Sequence, residues 1–578
     1  MTSVSQLNAM SVPEFVGALQ SIWERSPWIP ERTAGMRPFR SVLDLHAAMR
    51  SRVLAASLDD QLALIRAHPQ LAGRAAAQGE LTPDSSREQH GAGLDACSPE
   101  ELARLTQLNS SYVDRFGFPF VLAVKGHNRS SILKELERRV GNALDAERME
   151  ALQQISRIAA FRLTDLLEEE VGVRIHSMAE HLALISESDD ALTCSYLTPA
   201  HRATAAQIRD WMLASGLTVE MDAVGNVIGR LQGTSPDAGT LLTGSHYDTV
   251  VNAGKYDGRL GILLPIAVVS QMRRAGRQLP YTLEIIAFAE EEGVRFKSTF
   301  LGSCALAGRF DPALLDSVDA NGISLRDAMR EADLEPDPQT IASAALDPGE
   351  LLGFAEVHIE QGPTLLEANR ALGVVTSIAG SIRSIVSVTG IAGHSGTVPM
   401  QLRRDAAAGA AEMVLAVEKR CQRVPGLVGT VGQLNVPGGA INVIPGRCEF
   451  SVDIRSGTDS IRDAAFSDVQ SECEQIGARR GLGVEWRKVL EINSVPCANK
   501  MQRRWADSIQ KVTGVEPLRL PSGAGHDAMV MAELTEVGML FVRCGHGGIS
   551  HSPLETLSEA DTALAARAFR EFLLSFTP

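Results

Sequence analysis

The sequence predicts a multidomain protein: an all-α helical part, then an α/β domain interrupted by an inserted α+β domain. Three observations carry this. The chain has 578 residues, too many for one hydrophobic core. Up to about residue 170, apolar residues recur at helical spacing and strand-like alternation is scarce. Beyond about residue 216, short apolar runs alternate with helical patterns, and between about 382 and 495 period-two strands flank a long helix. The expected boundaries are 1–170 for the helical part, 175–381 and 496–578 for the α/β domain, and 382–495 for the insert.

In chain order, "DDQLALIRAHP" is an amphipathic helix stopped by Pro69. Leu152, Ile155, Ala159, Leu163 and Leu166 recur at three and four residues, a second helical face. The runs "VIGRL", "GTLLTGSH", "YTLEIIAFA" and "GFAEVHIE" read as strands of an α/β sheet. In the insert, "IRSIVSVTG" and "RCEFSVDIRS" alternate as half-exposed antiparallel strands do, with the helical "RDAAAGAAEMVLAVEKRC" between them. The closing "LSEADTALAARAFREFLLSF" is a helix with Ser558 at its N-cap.

Composition excludes some classes. A net charge of −15 argues against a nucleic-acid footprint and an anionic membrane surface. The longest apolar run, "LGILLPIAVV", is too short to span a bilayer, and "MTSVSQLNAMSVPEF" has no signal-peptide pattern. The eight cysteines are scattered without a C-x-x-C, so free thiols in a reducing cytoplasm are expected.

The chemistry concentrates at the ends of the apolar runs. "LEIIAFA" runs straight into Glu290, Glu291 and Glu292. Like charges ~4 Å apart repel by about 1 kcal/mol in water and several-fold more where partly buried. A solvated loop or a metal cation would offset that. His246 and Asp248 lie two residues apart, on one side if the strand continues. Asp257 precedes Gly258, where backbone can approach a ligand; His358 and His551 follow, with no cysteine in the set. Imidazoles and carboxylates suit Zn²⁺, Mn²⁺ or Co²⁺. Singly, each has an ordinary reading: a surface His-x-Asp pair, a solvated acidic turn, a loop histidine. The combination and its order point to metal. Glu290 is expected to face solvent or to stand behind the ligands.

"GSHYDTV…GKYDG", "EEGVRF", "HIEQGP", "GHSGTVPM", "INVIPG…DIRS" and "SGAGHDA" occur in that order. In these, residues from about 175 to 578 resemble the dinuclear-metal amidohydrolases related to aminoacylase and carboxypeptidase. Within them the chain looks like the branch containing allantoate amidohydrolase, N-carbamoyl-L-amino-acid hydrolase and β-ureidopropionase. The resemblance implies two divalent metal ions per chain, manganese before zinc. His246, Glu292, His358 and His551 would be terminal ligands and Asp257 would bridge, with Asp248 orienting His246 from behind. Glu291 would be the general base that activates water and passes its proton to the leaving nitrogen. His394, otherwise a turn histidine, would stabilise the oxyanion from a ferredoxin-like dimerisation insert, so a homodimer is expected. Gln361, Asn442 and Arg455 would bind substrate; a structural salt bridge is the alternative for Arg455.

The first part has its own candidates. His68 ends a helix beside a proline, and Ser85-x-x-Glu88 is on its own a capping-box pattern. With "AHPQLAGR", "SSREQ", "FGFPF" and "ISRIAAFRL", residues from about 8 to 168 resemble 2-oxo-4-hydroxy-4-carboxy-5-ureidoimidazoline (OHCU) decarboxylase, an all-helical, cofactor-free enzyme of urate degradation. The resemblance implies that Arg162 and Ser85 hold the anionic heterocycle. Glu88 would fix its ring N–H groups, His68 would assist loss of CO2, and Phe118 of "FGFPF" would line the pocket. The division of proton transfer between His68 and Glu88 stays open. Arg74 stands where that family often has lysine, with charge kept.

The fusion favours one substrate. The first part would make S-allantoin, an allantoinase elsewhere would open it, and the second part would hydrolyse the resulting allantoate to release ammonia and CO2. An N-carbamoyl-L-amino-acid or N-carbamoyl-β-alanine hydrolase is the alternative for the second part. A non-catalytic scaffold is the alternative for either half.

Overall fold

The computed structural model describes residues 2–71 and 97–577; Arg74, Ser85 and Glu88 lie outside them. The first part is helical. Val42–Leu54, Leu58–Ala67, Pro99–Phe116, Arg129–Val140 and Leu144–Leu166 pack around Phe15, Leu45, Leu64, Tyr112, Phe120, Ile132 and Leu163. Helix ends follow local chemistry: the Ser57 hydroxyl accepts from the Asp60 N–H, and Ser98 and Glu101 close a capping box. Leu58–Ala67 stops because His68 precedes a proline and takes an extended conformation, φ −74° and ψ 136°. Arg139 and Glu147 form an ion pair inside this core, 2.6 Å apart and both fully buried.

The second part is built on a mixed nine-stranded sheet. Its strands and those of the insert, in chain order, are β1 (Thr218–Met221), β2 (Val227–Leu231), β3 (Thr240–His246), β4 (Thr282–Phe288), β5 (Leu351–Ile359), β6 (Leu372–Ile378), β7 (Gly380–Thr389), β8 (Leu427–Thr430), β9 (Arg447–Ser456), β10 (Gly483–Ile492), β11 (Val495–Pro496), β12 (Leu518–Ser522) and β13 (Val537–Val542). The large sheet runs β11-β6-β13-β5-β3-β4-β2-β1, with β12 also on β6. At its centre, β4, β3, β5 and β13 are mutually parallel, so their carboxyl ends open on one side. Central strands β3 and β4 are buried at every position, as strands covered on both faces are. The apolar "LGILLPIAVV" lies in the helix Leu260–Arg274, buried on nearly all sides against this sheet. Among the described residues no helix is long and apolar enough to cross a membrane, and Cys194, Cys304, Cys421, Cys448, Cys473, Cys497 and Cys544 are free thiols.

Residues 380–492 form a separate antiparallel sheet in the order β8-β9-β7-β10, extended by Leu434–Asn435 on β9. Helices Ala406–Cys421 and Asp459–Arg480 cover one face. Along β9 the alternation is strict: Cys448, Phe450, Val452 and Ile454 are buried, while Glu449, Ser451, Asp453 and Arg455 lie on the open face.

The helical part and the sheet domain share packing. Leu213 and Ala214, from helix Pro199–Ala214, join the core of the first part. Gly126, at φ 84°, lies against Leu213 so closely that a Cβ would come within 2.4 Å of it. Arg157 pairs with Asp210 at 2.6 Å, Arg273 with Asp165 at 2.8 Å, and Thr2–Ser3 forms a short parallel pair with Leu167–Glu168.

Candidate metal centre

The chain's acidic and imidazole groups converge beyond the carboxyl ends of the parallel strands, where open α/β sheets place their sites. His246 is the last residue of β3, the three glutamates follow β4, and His358 is next to last on β5. His551 reaches in from the segment after β13, at φ 53°. Among the described residues four sets of ligand atoms lie within 4.8 Å of one another: His246, Asp257 and His358; Asp257, Glu292 and His551; His246, Glu291 and Glu292; and Glu356, His358 and His526. The first two meet at one carboxylate, that of Asp257. His358 Nε2 lies 3.4 Å and His551 Nε2 3.0 Å from its two oxygens.

Neighbouring groups hold these side chains in place. β3 ends at His246, so Asp248 is not the next residue on one strand face; it folds back from a loop. Its Oδ1 lies 3.4 Å from His246 Nδ1, and its two oxygens accept the Glu291 and Glu292 N–H groups, each at 3.1 Å. One carboxylate thus ties the histidine to both glutamates. Gly258 is required where it stands: φ is 64°, and a Cβ would sit 2.4 Å from His246 Nε2. Gln361 Nε2 donates to both Asp257 oxygens at 3.0 Å. Glu555 Oε1 accepts the backbone N–H of Tyr256 and Asp257, and Ser550 bridges Glu555 and Asp257.

The electrostatics fit a cation. Burial, and then neighbouring acidic charge, push Glu291 well above the carboxylate range and Glu292 to about 7. Burial likewise pushes Glu356 to about 8 and Asp527 to about 7. Glu290 is 1% exposed and neither of its oxygens has a hydrogen-bond partner, so it does not face solvent. Asp257 goes the other way: burial opposes ionisation, but the His551 hydrogen bond and the charges of His358 and His246 hold it well below its usual value. Buried carboxylates without partners, facing imidazoles, are a donor set that divalent metal would neutralise.

The cavity over this cluster has a volume of about 320 Å³ and is walled by both domains. Glu291, Gln361, Phe300 and Met529 come from one side, and Ser381, Arg383 and Arg455 from the insert. His394 and Asn442 do not line it. They lie together on an exposed edge of the insert, where Gly393–His394 pairs with Val443–Ile444 and the Asn442 carbonyl accepts the Ser395 N–H at 3.1 Å.

With this geometry in hand, comparison with known proteins identifies the chain. Residues 242–575 match peptidase family M20/M25/M40 and residues 8–164 match OHCU decarboxylase. The chain belongs to peptidase family M20/M25/M40, with an OHCU decarboxylase domain ahead of it. Allantoate deiminase of Arabidopsis thaliana is 40% identical over 71% of this chain and 82% of its own length. N-carbamoyl-L-amino acid amidohydrolase of Geobacillus stearothermophilus is 41% identical over 64% of this chain and 89% of its own. Among solved structures, AtUAH, in complexes with glyoxylate and with (S)-hydroxyglycine, is 32% identical with a TM-score of 0.58, covering 70% of this chain and 96% of that one. A hydantoinase/carbamoylase family amidase from Burkholderia multivorans is 28% identical with a TM-score of 0.65, covering 70% and 97%. This M20 chain is therefore an enzyme with two catalytic domain types and a set of residues able to hold metal.

In the OHCU decarboxylase domain, His68 and Arg162 are neighbours in a buried setting. Burial, and then Arg162, push the His68 imidazole down to about 3; its Nε2 has no hydrogen-bond partner among the described residues. Arg162 Nη1 donates to Glu24 at 3.0 Å and to the Ser21 carbonyl at 3.1 Å. Phe118 packs among Tyr112 and Phe116, 1% exposed.

Sequence reasoning missed Glu24, Glu356, Asp527, Ser550 and Glu555. Two of them had a signal. Glu356 stands two residues before His358 on the same strand face, and Asp527 lies inside the quoted "SGAGHDA".

Proposed function

We propose that the chain is a bifunctional enzyme of ureide degradation. Its first part decarboxylates OHCU to S-allantoin, and its second part hydrolyses the ureido C–N bond of allantoate with release of ammonia and CO2. The observation that supports the hydrolase reading is the pair of ligand sets sharing Asp257 beneath a cavity that also holds Glu291 and Arg455.

His246, Asp257, Glu292, His358 and His551 would hold two divalent cations, manganese before zinc. Such cations would supply Lewis acidity toward water and the scissile carbonyl. Glu291, at the cavity wall, takes the proton of the attacking water and hands it to the leaving nitrogen. Gln361 fixes Asp257. Arg455, its guanidinium braced on Asp453 and on the Gly523 carbonyl, faces the substrate carboxylate. A homodimer through the insert belongs to this reading. It would bring His394 and Asn442 of one subunit to the cavity of the other, and Met400, Leu402 and Ile441 near them are exposed apolar side chains of the kind an interface covers.

The Arabidopsis relative and the fusion to an OHCU decarboxylase domain favour allantoate, with allantoinase as the functional link. A second reading has support too. The Geobacillus relative's name, and the (S)-hydroxyglycine bound to AtUAH, an α-amino acid, favour an N-carbamoyl α-amino acid. Ammonia release by metal-stripped protein, with Mn²⁺ or Zn²⁺ restored, on allantoate beside N-carbamoyl-β-alanine separates the readings. Turnover of allantoate alone is expected; turnover of the carbamoyl acid alone overturns the pathway assignment. Full decarboxylase activity in His68→Ala would overturn the assignment of the first part.

A further inference from the structure

Arg383 lies at the wall of the metal cavity with a task that no residue above performs. It sits on β7 directly opposite Asp453 of β9, and Arg455 sits opposite Ser381. Asp453 is crowded: it accepts from Arg383 Nε at 3.1 Å, from Arg455 Nε at 3.2 Å and Nη2 at 3.0 Å, and from Ser381 Oγ at 2.9 Å. Arg455 Nη1 also donates to the Gly523 carbonyl at 2.8 Å. Arg383 spends only Nε. Its Nη1 and Nη2 make no hydrogen bond among the described residues, and its side chain is 48% exposed. Two guanidiniums share one carboxylate, so one positive charge is left over at the wall.

Arg383 stands between two openings. Arg383 and Arg455 line both the metal cavity and a second groove of about 670 Å³ on the open face of the insert. The strand beside Arg383 is bulged: β10 pairs Lys488 with Ser384 and Leu490 with Arg383, leaving Val489 extra. Leu490 then lines the cavity and Val489 the groove. Bulges of this kind re-aim side chains next to sites. A substrate with one ureido group and one carboxylate is fully held by the metal ligands and Arg455. It leaves the Arg383 fork with nothing to bind. A second ureido arm directed toward the groove presents a carbonyl oxygen whose two lone pairs match two guanidinium N–H groups.

We propose that Arg383 is a specificity-determining residue that holds the second ureido arm of a diureido carboxylate. This rests on the ureide-hydrolase reading above. The test uses the full-length, metal-loaded protein with allantoate, which has two ureido arms, and N-carbamoylglycine, which has one. In Arg383→Gln the ratio of kcat/KM for allantoate over N-carbamoylglycine falls about 10- to 100-fold, the worth of a hydrogen bond to a charged group, mainly through KM. Where turnover of N-carbamoylglycine is below detection, its inhibition constant replaces it. Arg383→Lys keeps the charge but not the fork and gives a smaller fall; it carries the test if the Gln variant melts early. An unchanged ratio in both variants overturns the proposal, whether both substrates are weakened alike or neither is. Absence of metal-dependent ammonia release from either substrate by the unmutated protein is a different failure, that of the hydrolase reading itself.

Discussion

Each half of the molecule buries ionisable groups, and they do so differently. In the helical part, Glu147 is fully satisfied by its own chain. Arg139 donates to it at 2.6 and 2.9 Å, Asn142 at 2.7 Å, and the Tyr112 hydroxyl also donates, while Arg139 stacks over Phe120 and reaches the Val121 carbonyl. In the metal centre, Glu290 has no partner at either oxygen, and Glu356 and Asp527 each leave one oxygen without a partner. Buried charge that serves the fold comes with its counter-charge built in. Buried charge that serves chemistry waits for a counter-charge from outside the chain.

Four measurements would break or sharpen that contrast. The largest effect belongs to chelation: stripping divalent metal should reduce ammonia release to background and lower the melting temperature of the sheet domain. A ligand at 100-fold its Kd is worth about 2.7 kcal/mol. A metal-stripped protein with full activity would refute the contrast. Next, Glu291→Gln should lower kcat by about 10²- to 10⁴-fold with metal content unchanged by elemental analysis, since it removes a proton carrier and no ligand. Loss of metal in this variant would make Glu291 a ligand.

On the other side, Glu147→Ala should destabilise the helical part by about 3–5 kcal/mol in urea denaturation, because Arg139 is left buried without its counter-charge. A cost below 1 kcal/mol would mean the pair is relieved by water. The smallest effect is expected on acidification. Burial, and then Arg50 and His181, push the His46 imidazole down to about 4. The unfolded chain therefore takes up that proton first, and stability from this residue falls as pH drops from about 6.5 towards 4. The urea midpoint of the helical part should decline modestly between pH 7 and 5, and less so in His46→Gln.

The elements themselves were legible in the sequence. The helical period ahead of residue 170, the four apolar runs that became β2 to β5, the alternation of β9 and the Ser558 cap follow from local rules, and the structure has each. The positions of the acidic and histidine residues at strand ends were also legible, because an apolar run that stops on a charged residue marks its own end. Three-dimensional accounting was not. Glu290 looked like one of three equivalent glutamates, yet its backbone carbonyl is tied to Gly302 N–H and its side chain is turned inward. Glu555, 298 residues from Asp257, shows its connection only once the chain is folded. The Arg383–Asp453 contact depends on strand register, which alternation alone leaves free to shift.

The shared packing at Leu213 and Ala214 bears on the inheritance of the two domains. These residues follow any cut one would make near position 170, yet they complete the core that precedes it. Splitting the gene at that point would hand one product an uncovered apolar patch and the other a missing plug, so neither half is a ready-made single enzyme. Such a seam fixes the two domains at one copy each per chain, and it makes the fusion harder to undo than a flexible tether would.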